Sequence, residues 1–384
     1  MSYVRLPPGH QDTTEYIESL SKFLSKFQWL SSIHAYDSLT EDFWNKCWPS
    51  EWRALADEPY FESEQLIGLV KDGTVQDCWP QSLKDYIYTC KELSLPRSVL
   101  QSEFPEKVFD GIDSCIDEAA TTASGMSRKK LHEVERFARV ILNFASTAAR
   151  DGLINNEAVK IVDVGAGQGY LTHKVSTEYP CVAVDFVQIH TVGSVSRGAN
   201  IKKGKLKDVR GVGNVPAVTV YSRKEVLYRT IHINSEKLTE LVKDLNAEQM
   251  DLKDGKPTDF MLVGLHACGD LSSIAMLKTF EAVESVKLMA VVPCCFNLLT
   301  EPDSLDDSCF TGAHGFPASK SVFSAMQRHQ LLLGHKSRNL SCQNFDRFDA
   351  AGIESNLTGH YKRSLLDALL WHFNLDPPSK DGTT

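Results

Sequence analysis

The stretch that most limits what this chain can fold into is Val159 to Asp185, VKIVDVGAGQGYLTHKVSTEYPCVAVD. A β-branched apolar run, Val159 to Val164, meets a glycine turn, Gly165-Ala166-Gly167-Gln168-Gly169. A helix-like segment follows, and a second apolar run, Cys181 to Val184, closes on Asp185. Strand, glycine loop, helix, strand and acid in this order form the mononucleotide-binding half of a doubly wound, mostly parallel α/β sheet. Glycine lets the backbone turn tightly after the strand and approach a ligand without a Cβ in the way. The free N–H groups that open the next helix face the same ligand. Asp185, at the carboxyl end of the second strand, can accept two hydrogen bonds from a ribose diol.

The glycine spacing separates one ligand class from another. A dinucleotide fingerprint, G-x-G-x-x-G, would put its third glycine at 170, where this chain has Tyr170. The glycines fall instead at 165, 167 and 169, with Asp163 inside the strand. This G-x-G-x-G pattern resembles motif I of class I S-adenosylmethionine-dependent methyltransferases. The resemblance implies a Rossmann-like fold whose cofactor is S-adenosyl-L-methionine. That cofactor has no pyrophosphate, so its amino-acid end can lie along the loop. Asp163, Gly165, Gly167, Gly169 and Asp185 are then the expected cofactor residues.

Composition sets outer bounds. A chain of 384 residues suggests two or three domains. A net charge of −9 and a pI near 5.8 give no global basic field to recruit nucleic acid. Ten cysteines without a C-x-x-C point to a reducing compartment, cytoplasmic or nuclear. The opening MSYVRLPPGHQDTTEY lacks the apolar core of a signal peptide, and no run of about 18 apolar residues suggests a membrane span.

Residues 1–125 read as a helical domain holding five of the six tryptophans: Trp29, Trp44, Trp48, Trp52 and Trp79. Trp44, Trp48 and Trp52 recur at i+4 and are expected to pack a core rather than stack bases. A small-residue connector, 119–125, leads to the methyltransferase-type domain, 126–375, with a disordered tail at 376–384. Ser127 is the expected N-cap of a long amphipathic helix ending at Gly152. Cations at a helix start oppose the macrodipole, so Lys130 and, nearby, His132 either form a solvated surface cluster or face an anion such as a cofactor carboxylate. Residues 190–224 read as a basic, Gly-punctuated insert without clear periodicity, in which Arg197, Lys202, Lys203, Lys205, Lys207 and Arg210 could track phosphates or form a charged surface loop. Within it, Val215–Tyr221 reads as a strand. A further strand from Val226 and a helix from Ser235 to about Met250 follow.

The second chemical cluster starts at a buried strand, 259–265, ending in His266-Ala267-Cys268-Gly269-Asp270; a strand at 286–292 ends in Pro293-Cys294-Cys295. Both lie where ligands of open α/β sheets bind. His266 is the expected base and Asp270 the acid that orients it. Cys268, Cys294 and Cys295 line the site, act as thiolates, or fill space as small apolar residues. No metal site is expected, because adjacent cysteines and the missing zinc-type spacing argue against one.

Six segments, MSRKKLHEV (126–134), VDVGAGQGYL (162–171), GLHACGDLS (264–272), PCCFNLL (293–299), GFPAS (315–319) and RNLSCQ (338–343), together resemble the methyltransferase-like protein 25 family. A more distant likeness is to tRNA 2′-O-methyltransferases, which pair a HLCG-like strand end with a Cys-Cys-His motif; here Phe296 stands in the histidine's place. The resemblance places Gly269 with His266, Cys268 and Asp270 at the reaction face. It also implies an RNA acceptor before a protein one. Adenine N6-methyltransferases carry a [D/N]-P-P-[Y/F] tetrapeptide after strand four, and His266–Gly269 does not match it. Family members usually continue well past the position of Arg363, so terminal strands of the sheet are expected to be missing or replaced. A cofactor-binding scaffold that transfers no methyl group is therefore the second expectation.

Overall fold

A computed structural model describes residues 5–33, 37, 39–56, 63–96, 126–202, 224–250, 258–343 and 349–375. Among these the chain forms two compact units. One draws on Met1–Ser98, Glu301–Thr311 and Pro317–Thr384, the other on Val99–Thr300 and Gly312–Phe316.

The first unit begins with helices α1 (Thr13–Lys26), α2 (Gln28–Ser32), α3 (Phe43–Lys46), α4 (Ser63–Asp72) and α5 (Gln81–Leu93). Its core gathers Trp52, Trp79, Leu83 and Ile87, with Trp29 and Trp48 packed against them. The tryptophans are thus core residues, apart from Trp44, which is 41% exposed and stacks on Trp48.

The second unit is the α/β domain. Helix α6 (Arg128–Arg150) is capped by Ser127, whose hydroxyl accepts the Lys130 N–H, and it ends just before Gly152, which has a φ of 74°. Leu131, Val134, Phe137, Ala138, Ile141, Ala145 and Ala148 form its buried face. Burying each of the larger side chains stabilises the fold by about 1.5–3 kcal/mol. Strands β1 (Val159–Val164), β2 (Cys181–Asp185), β3 (Val226–Thr230), β4 (Asp259–Leu265) and β5 (Val286–Val292) make one parallel sheet in the order β3-β2-β1-β4-β5. The chain reverses direction across the sheet at β1 and β4, where doubly wound sheets open their ligand crevice. Strand β1 shows why both faces are covered. Val159 and Ile161 join the cluster under α6 and α7 (Tyr170–Val175), whereas Val162 and Val164 join Leu238, Val242 and Leu245 on the opposite side. Strands buried on both faces read as continuous apolar runs.

Helix α8 (Gln188–Lys202) corrects one expectation, because residues 190–202 are regular rather than part of an aperiodic insert. Its inward residue is Ser194, while Ile189, Val192 and Val195 are exposed, which inverts the usual amphipathic pattern. Residues 203–223, with most of the basic run and the expected strand Val215–Tyr221, lie outside the described residues, as do the connector and the tail. Helix α9 (Ser235–Met250) follows β3. After β4 the backbone is wound as a π-helix, Leu271–Met276, which continues into α10 (Leu277–Ala282).

Helices α11 (Lys320–His329), α12 (Gly334–Ser341) and α13 (Ala350–His372) belong to the first unit. The sequence expectation had carried the α/β domain to 375. Amphipathic spacing gives a helix a face but not the surface it covers. Here Ser25 donates to the His329 carbonyl at 2.7 Å, Glu18 meets His329 at 2.9 Å, and Phe323 is buried. Beyond β5 the described residues add no further strand.

Candidate functional site

The glycine loop follows β1 at its carboxyl end. Gly165, Gly167 and Gly169 have φ values of 76°, 56° and 74°, a region that side chains with a Cβ rarely enter. The Gly165 and Ala166 N–H groups both donate to the Val184 carbonyl, tying the loop to the end of β2. Each glycine has its own reason. A Cβ at 169 would stand 1.9 Å from the Ser194 hydroxyl, so α8 can approach only a glycine. A Cβ at 167 would meet nothing within 4 Å, so only the backbone angle demands glycine there, and the space above it is open.

Two acids hold this loop differently. Asp185 Oδ2 accepts the Gly167 N–H at 2.8 Å and Oδ1 accepts the Val187 N–H at 2.8 Å, with His190 Nδ1 at 3.3 Å. Asp163 is buried beneath the loop and accepts the Thr172 hydroxyl at 2.5 Å. Its carboxyl is pushed up to about 6, chiefly by burial; hydrogen bonds from Thr172 oppose the rise and the nearby Asp185 adds to it. Asp163 therefore shapes the loop from below and offers no surface to a ligand. Lys130 places its ammonium 4.7 Å from the Tyr170 ring centroid, and Lys129 lies 3.5 Å from Glu133. Lys130 thus rests over an aromatic face and Lys129 beside a carboxylate. His132 is exposed.

The second cluster lies at the ends of β4 and β5. His266 has a φ of 65°, and its N–H donates to the Val292 carbonyl at 2.9 Å, locking the two strand ends together. Its ring bridges two groups. Nε2 is 3.1 Å from Glu133 Oε2, and Nδ1 is 3.3 Å from Cys294 Sγ. Cys294 Sγ in turn lies 2.9 Å from Cys268 Sγ and 3.4 Å from Cys295 Sγ. Burial raises the Cys268 thiol, but hydrogen bonds from Cys294 and Cys295 outweigh it and leave the group lowered. Burial and both neighbouring sulfurs push Cys294 up to about 12. Of these two thiols, Cys268 gives up its proton more readily.

Asp270 does not orient His266. Its carboxylate takes the Thr300 N–H at 2.9 Å and the Thr300 hydroxyl at 2.7 Å, so it ties the segment after β5 to the segment after β4. Gly269 has the same fastening role. With φ at 59°, a Cβ there would lie 2.6 Å from the Leu298 carbonyl oxygen. The carboxylate that faces His266 is Glu133, on α6, which the sequence reading missed. Its position inside MSRKKLHEV was the available signal. The exposed Phe186, directly after Asp185, was missed as well.

Residues 129–302 match the family described as a methyltransferase domain. This match and the five-stranded parallel sheet support a Rossmann-like methyltransferase domain over 129–302. Over 61 residues the chain is 39% identical to "Probable methyltransferase-like protein 25" of Mus musculus, a match covering 15% of this chain and a tenth of that relative. No solved structure matches the chain. Within 129–302 the glycine loop and the thiol cluster stand at the same carboxyl-terminal edge of the sheet, and α6 supplies Lys130 beside the first and Glu133 beside the second. No described helix is long and apolar enough to cross a membrane.

Proposed function

We propose that the domain binds S-adenosylmethionine along Gly165–Gly169 and transfers its methyl group, with RNA favoured over protein as acceptor. The observation that carries the reading is the left-handed glycine loop closed by Asp185 at the β1–β4 crevice. The donor set fits the cofactor. A carboxylate has about four acceptor positions; Gly167 N–H takes one on Asp185 Oδ2, Val187 N–H and His190 take those on Oδ1, and one on Oδ2 is left for a ribose hydroxyl. The open space at Gly167 suits a ligand lying along the backbone, and the exposed Phe186 offers an apolar face to a base. The bound cofactor supplies an electrophilic methyl group on a sulfonium. The chain's contribution is then chiefly positioning, which can supply much of a rate enhancement. Where an acceptor carries a proton, His266, backed by Glu133 at Nε2, would take it at Nδ1, the nitrogen that otherwise faces Cys294 Sγ.

Calorimetric titration with S-adenosylhomocysteine tests the first half. The wild type should bind, and Asp185→Ala should bind at least about tenfold more weakly, a loss of about 1.4 kcal/mol or more. A wild type that does not bind, or an unchanged variant, refutes the reading; circular dichroism checks that the variant folds. The RNA preference draws on the basic run Arg197–Arg210 and the strand-end likeness to tRNA enzymes. Radiolabelled transfer into a cell lysate with and without ribonuclease decides it, and label removed only by protease transfers the proposal to a protein acceptor. A second reading, cofactor binding without transfer, draws on the strand-four end, where His266 and thiols stand in place of an amine-gripping tetrapeptide. Transfer lost in His266→Ala would exclude it.

A further inference from the structure

Three sulfurs in one small volume need a reason. Cys268, Cys294 and Cys295 bring their Sγ atoms within 4.8 Å of one another, although thiols are weak hydrogen-bond donors that gain little from crowding. From these positions we infer that they form a three-thiolate site for a soft divalent ion of the zinc class, with the fourth position open to solvent or to an acceptor.

The geometry supports a built site in three ways. Zinc–sulfur bonds of about 2.3 Å in a tetrahedron separate sulfurs by about 3.8 Å. The two observed separations, 2.9 and 3.4 Å, fall within about 1 Å below that value, and the third sulfur pair is no farther apart than 4.8 Å. The ligands come from two strand ends that are fastened together: His266 N–H to Val292, Gly269 against Leu298, and Asp270 to Thr300. The cluster is therefore positioned before any ion arrives. Finally, Glu133 fixes one ring nitrogen of His266 while the other faces Cys294 Sγ. His266 would then be an outer-shell partner of the Cys294 sulfur, and such partners orient the ligands they touch. Soft sulfur donors select zinc or copper(I) over magnesium or calcium. Binding displaces the thiol protons to solvent, and no electron transfer is involved.

The inference does not depend on the methyl-transfer reading, because metal content and cofactor affinity are separate measurements. The full-length chain, purified under reductant without chelators, should carry about one zinc per molecule by elemental analysis. After metal removal, cobalt(II) should produce thiolate-to-metal charge-transfer absorption that added zinc abolishes. Cys268→Ser and Cys295→Ser should each weaken binding by about a hundredfold or more. Glu133→Gln, acting from outside the sphere, should weaken it about tenfold. Thermal melts show that the variants fold, and Cys294→Ser, at an exposed position, gives a variant least exposed to folding defects. Protein without zinc and without the cobalt absorption overturns the inference. So do serine variants that bind like the wild type, or a disulfide between two of these cysteines that persists in protein purified under reductant.

Discussion

The β1–β2 end and the β4–β5 end of the sheet solve one problem in opposite ways. Both need a backbone loop held open at the edge of a parallel sheet. At the β1–β2 end a contiguous run does this, with three left-handed glycines within five residues and acids at 163 and 185. At the β4–β5 end it takes parts far apart in sequence: Glu133, His266, Cys268, Cys294, Asp270 and Thr300. The first loop is set by backbone angle and the second by side-chain convergence. Binding geometry encoded locally should tolerate changes elsewhere. Geometry assembled from distant parts should fail when any fastening is removed.

Glycine substitutions probe this contrast most severely. At Gly269 an added Cβ would press on the Leu298 backbone at 2.6 Å, and a carbonyl cannot rotate away. Gly269→Ala should therefore cost about 3–4 kcal/mol in urea unfolding, combining left-handed strain with overpacking. At Gly169 the clash is with a side chain, Ser194, so Gly169→Ala should cost about 3 kcal/mol. Adding Ser194→Ala should restore about 1 kcal/mol of that loss. If Ser194→Ala restores nothing, helix α8 does not approach the loop as described. If Gly269→Ala is mild, the β4–β5 end is looser than its hydrogen bonds indicate.

Asp163 gives a smaller effect whose sign distinguishes the two ends. Its folded value of about 6 lies above the ordinary 3.8, so the native state holds the proton more tightly than the unfolded chain. The group's stabilising contribution is complete below about pH 4 and is lost as the pH rises through about 6. At pH 7.5 the buried charge therefore costs the fold about 2–3 kcal/mol, on the order of 1.4 kcal/mol per pH unit of displacement. Asp163→Asn should raise stability at pH 7.5 by up to that amount and flatten the pH profile between 4 and 6. Chemical denaturation at several pH values checks it. A variant less stable at pH 7.5 would mean that the carboxylate's bond from Thr172 outweighs its burial.

The difference between the ends also explains what the amino-acid sequence made legible. Strands β1, β2 and β4 could be read because both-face burial leaves apolar runs, and β5 because its sequence is apolar although it is only partly buried. The glycine loop could be read because its angles need glycine at fixed spacing. Helix α8 could not, since its buried position is Ser194 and its apolar residues face outward. The partner of His266 could not either: Asp270 is four residues away in sequence, Glu133 is 133 away, and only the fold decides between them. The gathering of Cys294 and Cys295 on Cys268 was hidden for the same reason. Neighbours in sequence ordinarily point apart, and only the turn after β5 brings both sulfurs inward.

The smallest stability effect carries the sharpest functional test. Gly167 has a φ of 56°, yet a Cβ there meets nothing within 4 Å. Gly167→Ala should then cost only the left-handed strain, about 1–2 kcal/mol, and leave the sheet intact. The added methyl group would project into the open space over the loop, where the proposed cofactor lies. Its affinity for S-adenosylhomocysteine should fall about tenfold or more while metal content at the thiol cluster stays unchanged. A stable Gly167→Ala protein that binds the cofactor analogue normally would show that the ligand does not pass over Gly167. A variant that also loses its metal would show that the two ends are coupled, and the division between a local site and an assembled one would fail.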